Sequence, residues 1–125
     1  DWKLLEQCFL IAPEMPRSYL SQLPESSDDP FDTPTEETSP DFASFNCSIP
    51  EAIQAAGGHL WCPYFKDITV ELLTEAHNLG LPVCTWTVNE VEDIENMIDM
   101  GIDGIITDYT DRAKKIFKSR GLSWQ

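Results

Sequence analysis

The chain has 125 residues, 42% of them hydrophobic and 24% charged, with 22 Asp and Glu against 8 Lys and Arg and a formal net charge of −14. That length predicts one domain with a core of its own. The acidic balance argues against a nucleic-acid partner, because phosphates must be met by Lys and Arg. No apolar run approaches the roughly 18–20 residues of a membrane span; the longest in the first helical pattern is Cys8 to Ala12. Asp1-Trp2-Lys3 opens directly into that pattern, so no signal peptide is expected. Asp in first place, where Met is usual, leads us to expect a missing upstream part.

Charge is spread unevenly. Residues 18–65 hold eight acids and no Lys or Arg, and residues 66–109 hold ten acids against Lys66 alone. The end reverses sign, with Asp111 against Arg112, Lys114, Lys115, Lys118 and Arg120. A solvated helix face whose cations suit the C-terminal dipole accounts for this better than an anion site, and no aromatic residues interleave with it. Cys8, Cys47, Cys62 and Cys84 contain no CxxC spacing, which argues against a zinc knuckle or a thioredoxin-like motif. His59 and Cys62 lack a second ligand pair. Free thiols in a reducing, cytoplasmic compartment are expected.

Residues 2–12 show helical spacing of Trp2, Leu5, Cys8 or Phe9, and Ala12, closed by Pro13. Residues 17–23 predict a short strand. Over residues 24–47, Pro24, Pro30, Pro34 and Pro40 lie among seven acids. So long an aperiodic stretch predicts an inserted acidic loop, either disordered or functional. Ser48 with Glu51 forms a capping box ahead of Ala52, Ile53 and Ala56, and Gly57-Gly58 ends that helix. Residues 59–62 predict a buried strand. Asp67 or Thr69 is expected to cap a helix that buries Leu72, Leu73, Ala76 and Leu79 and stops at Gly80. The β-branched residues 83–88 predict a strand. Asn89, paired with Glu92, is expected to cap a helix that buries Val91, Ile94, Met97 and Ile98. After Gly101, residues 104–107 predict the fourth strand. Thr110 or Asp111 is expected to cap a final helix with Ala113, Ile116 and Phe117 inward and Gly121 behind it.

The glycines Gly58, Gly80, Gly101 and Gly121 are 22, 21 and 20 residues apart. Helix and strand alternating so tightly require a parallel sheet with right-handed crossovers. The L-x-x-L-x-L-x-x-N pattern of a leucine-rich repeat is missing, as are G-x-G-x-x-G and Walker loops. Near-equal units suit a β/α barrel better than a doubly wound sheet.

Ala76-His77-Asn78-Leu79-Gly80-Leu81-Pro82-Val83-Cys84-Thr85-Trp86-Thr87-Val88-Asn89, followed by Gly101 to Tyr109, resembles the end of a glycerophosphodiester phosphodiesterase domain. That family carries a similar AH-x-x-G-L-x-V-x-x-W-T-V-N strand and helix, then G-V-D-G-I-I-T-D-x-P. Asp1-Trp2, Ala12-Pro13-Glu14 and Arg17-Ser18-Tyr19-Leu20 resemble the family's fourth helix and fifth strand. Thr110 stands where the family usually has proline. The resemblance implies an α/β fold, the C-terminal half of a (β/α)8 TIM barrel over residues 1–125; a whole barrel takes about 250 residues.

It also implies a metal-dependent phosphodiesterase that hydrolyses glycerophosphodiesters to glycerol 3-phosphate and an alcohol. The family's H-R-G, E-N-T and E-x-D motifs do not occur here, so catalytic residues and the ligands of a divalent metal, Mg²⁺ or Ca²⁺, are expected outside this chain. His59 and His77 do not match the family's acid–base pair. The chain alone is expected to be inactive, supplying pocket wall and scaffold. Trp86 is implied to line the substrate pocket, against packing in the core as the alternative. Asn89 and Tyr64 are weaker candidates: the first suits a helix cap, the second a loop aromatic. Asp108 and Asp111 are expected to cap the last helix rather than to work as an acid–base or cation-binding pair, and they disfavour a phosphate there. His77 is expected to bond carbonyls at its helix end. Two alternatives remain: a half-barrel that self-associates as a binding or regulatory module, and a phospholipase D-like lyase relative on the same barrel. Either the missing N-terminal half or a second copy would then be the protein partner.

Overall fold

Asp1 starts the fold by accepting the Leu4 amide at 3.2 Å, which caps α1 (Trp2–Ile11). In the computed structural model, residues 1–23, 26 and 46–123 are described. The expected loop over residues 24–47 therefore lies outside the described residues, apart from Ser26, Asn46 and Cys47. Helix α1 buries no residue fully. It is held by Trp2, whose indole donates to Leu20 O at 2.9 Å and meets the Tyr19 ring edge-on at 4.8 Å.

Among the described residues four short strands follow, all parallel. β1 (Ser18–Ser21) pairs with β2 (Leu60–Pro63), Ser18 opposite Leu60. β3 (Cys84–Thr85) pairs with β4 (Gly104–Ile105), Cys84 opposite Gly104. Bridges from Trp61 to Val83 and from Tyr64 to Trp86 join the two pairs, so the strands stand in sequence order as the spacing predicts. β3 and β4 are shorter than predicted. One reason is that the Val83 amide is taken at 2.8 Å by the Asp103 carboxylate instead of by a ladder carbonyl.

The four remaining helices start where their caps allow. Ser48 Oγ accepts the Glu51 amide at 3.2 Å while the Glu51 carboxylate accepts the Ser48 amide at 3.1 Å, the predicted capping box of α2 (Ile49–Ala55). Thr69, not Asp67, caps α3 (Val70–Asn78), accepting the Leu72 amide at 3.2 Å. Asp67 instead accepts the Leu23 amide at 2.7 Å and the Ser26 hydroxyl. The two later caps differ from expectation. α4 (Val91–Met100) has Glu90 at its cap position and α5 (Thr110–Ser119) has Tyr109, neither making a side-chain cap bond. Asn89, Thr110 and Asp111 therefore cap nothing. Asn89 is engaged across the strand ends, as described below. Gly101 ends α4 at φ 89°, a left-handed geometry that side chains other than glycine resist.

Alternation along the strands divides the sheet into two faces. Tyr19, Trp61, Val83 and Thr85 are buried on the helix-covered face, packed in one core with Ile53, Leu73, Ala76, Ile94, Met97 and Ile116. Tyr19 reaches α2 through its hydroxyl, 3.4 Å from Ala56 O. Gly58 is needed here for close approach: a Cβ would lie 2.4 Å from Ile53 Cγ2. Val91, expected inside, is 47% exposed in the first turn of α4. The opposite face carries Ser18, Leu20, Leu60, Cys62, Cys84 and Gly104, with Leu20 53% exposed.

Candidate functional site

The carboxyl ends of parallel strands collect ligands in α/β folds, since the helices cover the sheet's faces and the chain turns outward there. At that end β2 runs into Tyr64, β3 into Trp86 and Asn89, and β4 into Thr107 and Asp108. The structure brings two of the three predicted site residues together. Tyr64 and Trp86 oppose each other in register, with ring centroids 5.5 Å apart and planes at 55°. Both residues are half-buried, and their backbones are held. The Trp86 indole donates to Cys62 O at 2.7 Å, and the Trp86 carbonyl accepts the Phe65 amide at 3.0 Å. The Tyr64 amide donates to Ser21 O at 2.8 Å. Trp86 is thus neither a free surface ring nor a fully buried one.

Lys66 completes this corner. Its ammonium lies 5.9 Å from the Tyr64 ring centroid and 5.7 Å from that of Phe65, which meets Tyr64 edge-on at 5.0 Å. Such cation–aromatic contacts are worth about 0.5–1 kcal/mol at exposed sites. The sequence reading left Lys66 out of the site. Its signal was its isolation as the single cation among the ten acids of residues 66–109.

Asn89 has a different task. Its carbonyl oxygen accepts from Thr107 Oγ1 at 3.1 Å and from the Asp108 amide at 3.0 Å, and its amide group donates to the Asp108 carboxylate at 2.8 Å. It clamps the end of β3 to the end of β4. Arg112 supports the clamp by donating to Asn89 O, lying 3.7 Å from Glu90 and stacking at 4.5 Å over the Tyr109 ring. Asp108 is therefore bound to Asn89 rather than capping α5, and Asp111 is exposed. Among the described residues, no three His, Cys, Asp or Glu side chains gather in a way that would hold a metal.

The amino ends of the strands are closed by polar bonds of another kind. His77 Nε2 lies 2.8 Å from the Asp103 carboxylate oxygen that also accepts the Val83 amide. This replaces the carbonyl contacts expected of His77; the carboxylate across the turn is nearer and charged. Arg17, buried at 4% exposure, donates to Gly57 O at 2.6 Å and to Met15 O at 3.3 Å and sits 4.5 Å over the Phe9 ring. His59 accepts the Arg17 amide at 3.4 Å. Cys8, Cys47, Cys62 and Cys84 are all free thiols.

Parallel α/β units in sequence order, with an aromatic corner at their carboxyl ends, define an α/β fold of β/α repeats. The glycerophosphoryl diester phosphodiesterase family matches residues 2–112, and the chain belongs to that family. Over 68 residues it is 41% identical to a glycerophosphodiester phosphodiesterase of Bacillus altitudinis, covering 53% of this chain and 26% of that protein. A second such enzyme, from Caldanaerobacter subterraneus subsp. tengcongensis, is 44% identical over 46 residues, 37% of this chain and 19% of the relative. Among solved structures, a protein assigned as a glycerophosphoryl diester phosphodiesterase from Silicibacter pomeroyi DSS-3 is 51% identical with a TM-score of 0.85. That match covers 100% of this chain and 38% of the other. An Oleispira antarctica phosphodiesterase solved with the product sn-glycerol-3-phosphate is 14% identical with a TM-score of 0.69 over 94% of this chain and 39% of its own, and shares the fold. The chain spans about a fifth to a quarter of these two curated relatives.

Proposed function

We propose that this chain is the C-terminal half of a (β/α)8 barrel in a metal-dependent glycerophosphodiester phosphodiesterase. The whole enzyme hydrolyses glycerophosphodiesters to glycerol 3-phosphate and an alcohol. The observation that carries this reading is the Tyr64–Trp86 pair at the carboxyl ends of β2 and β3 in a chain of this family. The two rings form an apolar wall against which the carbon face of a glycerol unit packs, leaving its hydroxyls outward. Asn89, clamped to Asp108, holds the neighbouring strand ends in place instead of meeting substrate. The family's H-R-G, E-N-T and E-x-D motifs do not occur in this sequence, which supports placing the Mg²⁺ or Ca²⁺ ligands and the acid–base groups in another part of the enzyme. Free thiols support a cytoplasmic setting.

With glycerophosphocholine and either Mg²⁺ or Ca²⁺, the isolated chain is expected to show no turnover, and the full-length protein is expected to release glycerol 3-phosphate. Enzyme-like rates from the chain alone would overturn the division of labour. A cyclic phosphate product from the full-length protein would overturn hydrolysis in favour of a lyase.

A second reading has its own observation. Leu20 is 53% and Ile106 45% exposed on or beside the sheet face that the helices leave uncovered. Two copies of the chain that covered these faces against each other would form a closed assembly. A sizing column that reports a monomer at micromolar concentration excludes it.

A further inference from the structure

The uncovered face of the sheet holds a feature that neither the pocket wall nor the core uses. The bridges from Trp61 to Val83 and from Tyr64 to Trp86 keep one register, which sets Cys62 directly opposite Cys84 on the adjacent parallel strand. Residues opposite each other in register lie on the same face. Neighbouring strands run about 4.8 Å apart, inside the roughly 4.4–6.8 Å Cα separation that a disulfide spans. Ser18 Oγ lies 3.1 Å from Cys62 Sγ on one side. On the other side Gly104, opposite Cys84, leaves space for sulfur: a Cβ there would stand 3.0 Å from Cys84 Sγ. Cys84 also lines a cavity of about 630 Å³, with Gly104, Ile102 and Phe117 among its walls. Cys84 is thus the member of the pair that borders open space, and Cys62 is only 2% exposed.

We propose that Cys62 and Cys84 form a reactive thiol pair that hydrogen peroxide closes into a disulfide across β2 and β3. The neighbouring Cys84 thiol brings the Cys62 thiol down to about 7 against the opposing effect of burial, and Ser18 adds a smaller push in the same direction. The neighbouring Cys62, with burial and the charge of Asp103, raises Cys84 well above the ordinary thiol range. The pair therefore releases one proton near neutrality and keeps the other on Cys84. The Cys62 thiolate sulfur attacks one peroxide oxygen, the O–O bond breaks, and hydroxide leaves to take up the proton released earlier. Cys84 sulfur then attacks the Cys62 sulfenic acid, the S–S bond forms, the S–O bond breaks, and water leaves with the Cys84 proton. Two thiols and one hydrogen peroxide become one disulfide and two waters. The bridge would lie one same-face step behind Tyr64 and Trp86, whose indole already bonds the Cys62 carbonyl.

The test is disulfide mapping. The reduced chain is treated with hydrogen peroxide, its remaining thiols are alkylated with iodoacetamide in denaturant, and the digest is read by mass spectrometry. The expected result is a Cys62–Cys84 linked peptide two hydrogens lighter than its parts, with Cys8 and Cys47 alkylated. Oxidation in guanidinium should spread the pairing over all four cysteines. The rate in the folded chain should rise as pH passes upward through about 7, because thiolate rather than thiol attacks. Asp103 is the charge facing Cys84, so Asp103→Asn should accelerate bridge formation modestly. In Cys84→Ser, dimedone should trap a sulfenic acid on Cys62. Any of three results would overturn the proposal: Cys62 and Cys84 both alkylated after oxidation, the same pairing distribution folded and unfolded, or a rate that rises only near 9.

Discussion

The two ends of the same strands are built differently. At the amino ends, side chains serve the backbone. Asp103 accepts the Val83 amide and meets His77, Arg17 donates to Gly57 and Met15 carbonyls, and Gly58 lets α2 approach Tyr19. At the carboxyl ends, Tyr64 packs against Trp86 and faces the Lys66 ammonium, and Asn89 ties the end of β3 to the end of β4. One end keeps the sheet assembled, and the other presents a surface. In parallel α/β folds that asymmetry has a cause: the loops leaving the carboxyl ends are free to vary while those entering the amino ends hold the layers together.

Substitutions test the contrast by where their effects fall. Gly58→Ala should have the largest effect on folding. Its Cβ meets Ile53 Cγ2 at 2.4 Å and Tyr19 Cδ2 at 2.9 Å, and overpacking of this kind costs about 3 kcal/mol. A urea melt should show a lower midpoint with an unchanged slope. Asp103→Ala comes next at about 2 kcal/mol, since the Val83 amide loses its acceptor; a matching loss in Asn89→Ala would show that the carboxyl ends also depend on one polar clamp. Tyr64→Ala should cost about 1 kcal/mol of stability yet raise KM about tenfold in the full-length enzyme. An equal loss of stability at Tyr64 and Gly58 would break the distinction between the ends. Lys118→Gln, on the exposed face of α5, should stay within about 0.5 kcal/mol.

What the sequence made legible was local. The helix caps and helix-ending glycines were visible because Ser48 and Glu51, or Thr69 and Leu72, lie within one turn of each other. The glycine period gave the parallel order of strands for the same reason. Asn89 fits the local pattern of a cap equally well, but its partners Thr107 and Asp108 come 18 and 19 residues later, and that contact decides its role. His77 and Asp103 are 26 residues apart, and Cys62 and Cys84 meet only through strand register. Val91 obeys the helical stripe and is nonetheless exposed. Lys66 stood out by charge, and only folding showed which rings it faces. Periodicity reports on one element at a time, so the elements were legible and the pairings between them were not.

The most direct test of the pocket wall is steady-state hydrolysis of glycerophosphocholine by the full-length protein, wild type against Trp86→Ala, at a temperature where both are folded. The account predicts that kcat/KM falls roughly a hundredfold, about 2.7 kcal/mol of transition-state binding, with glycerol 3-phosphate still the product. An unchanged kcat/KM would contradict it and return Trp86 to the role of a packing residue.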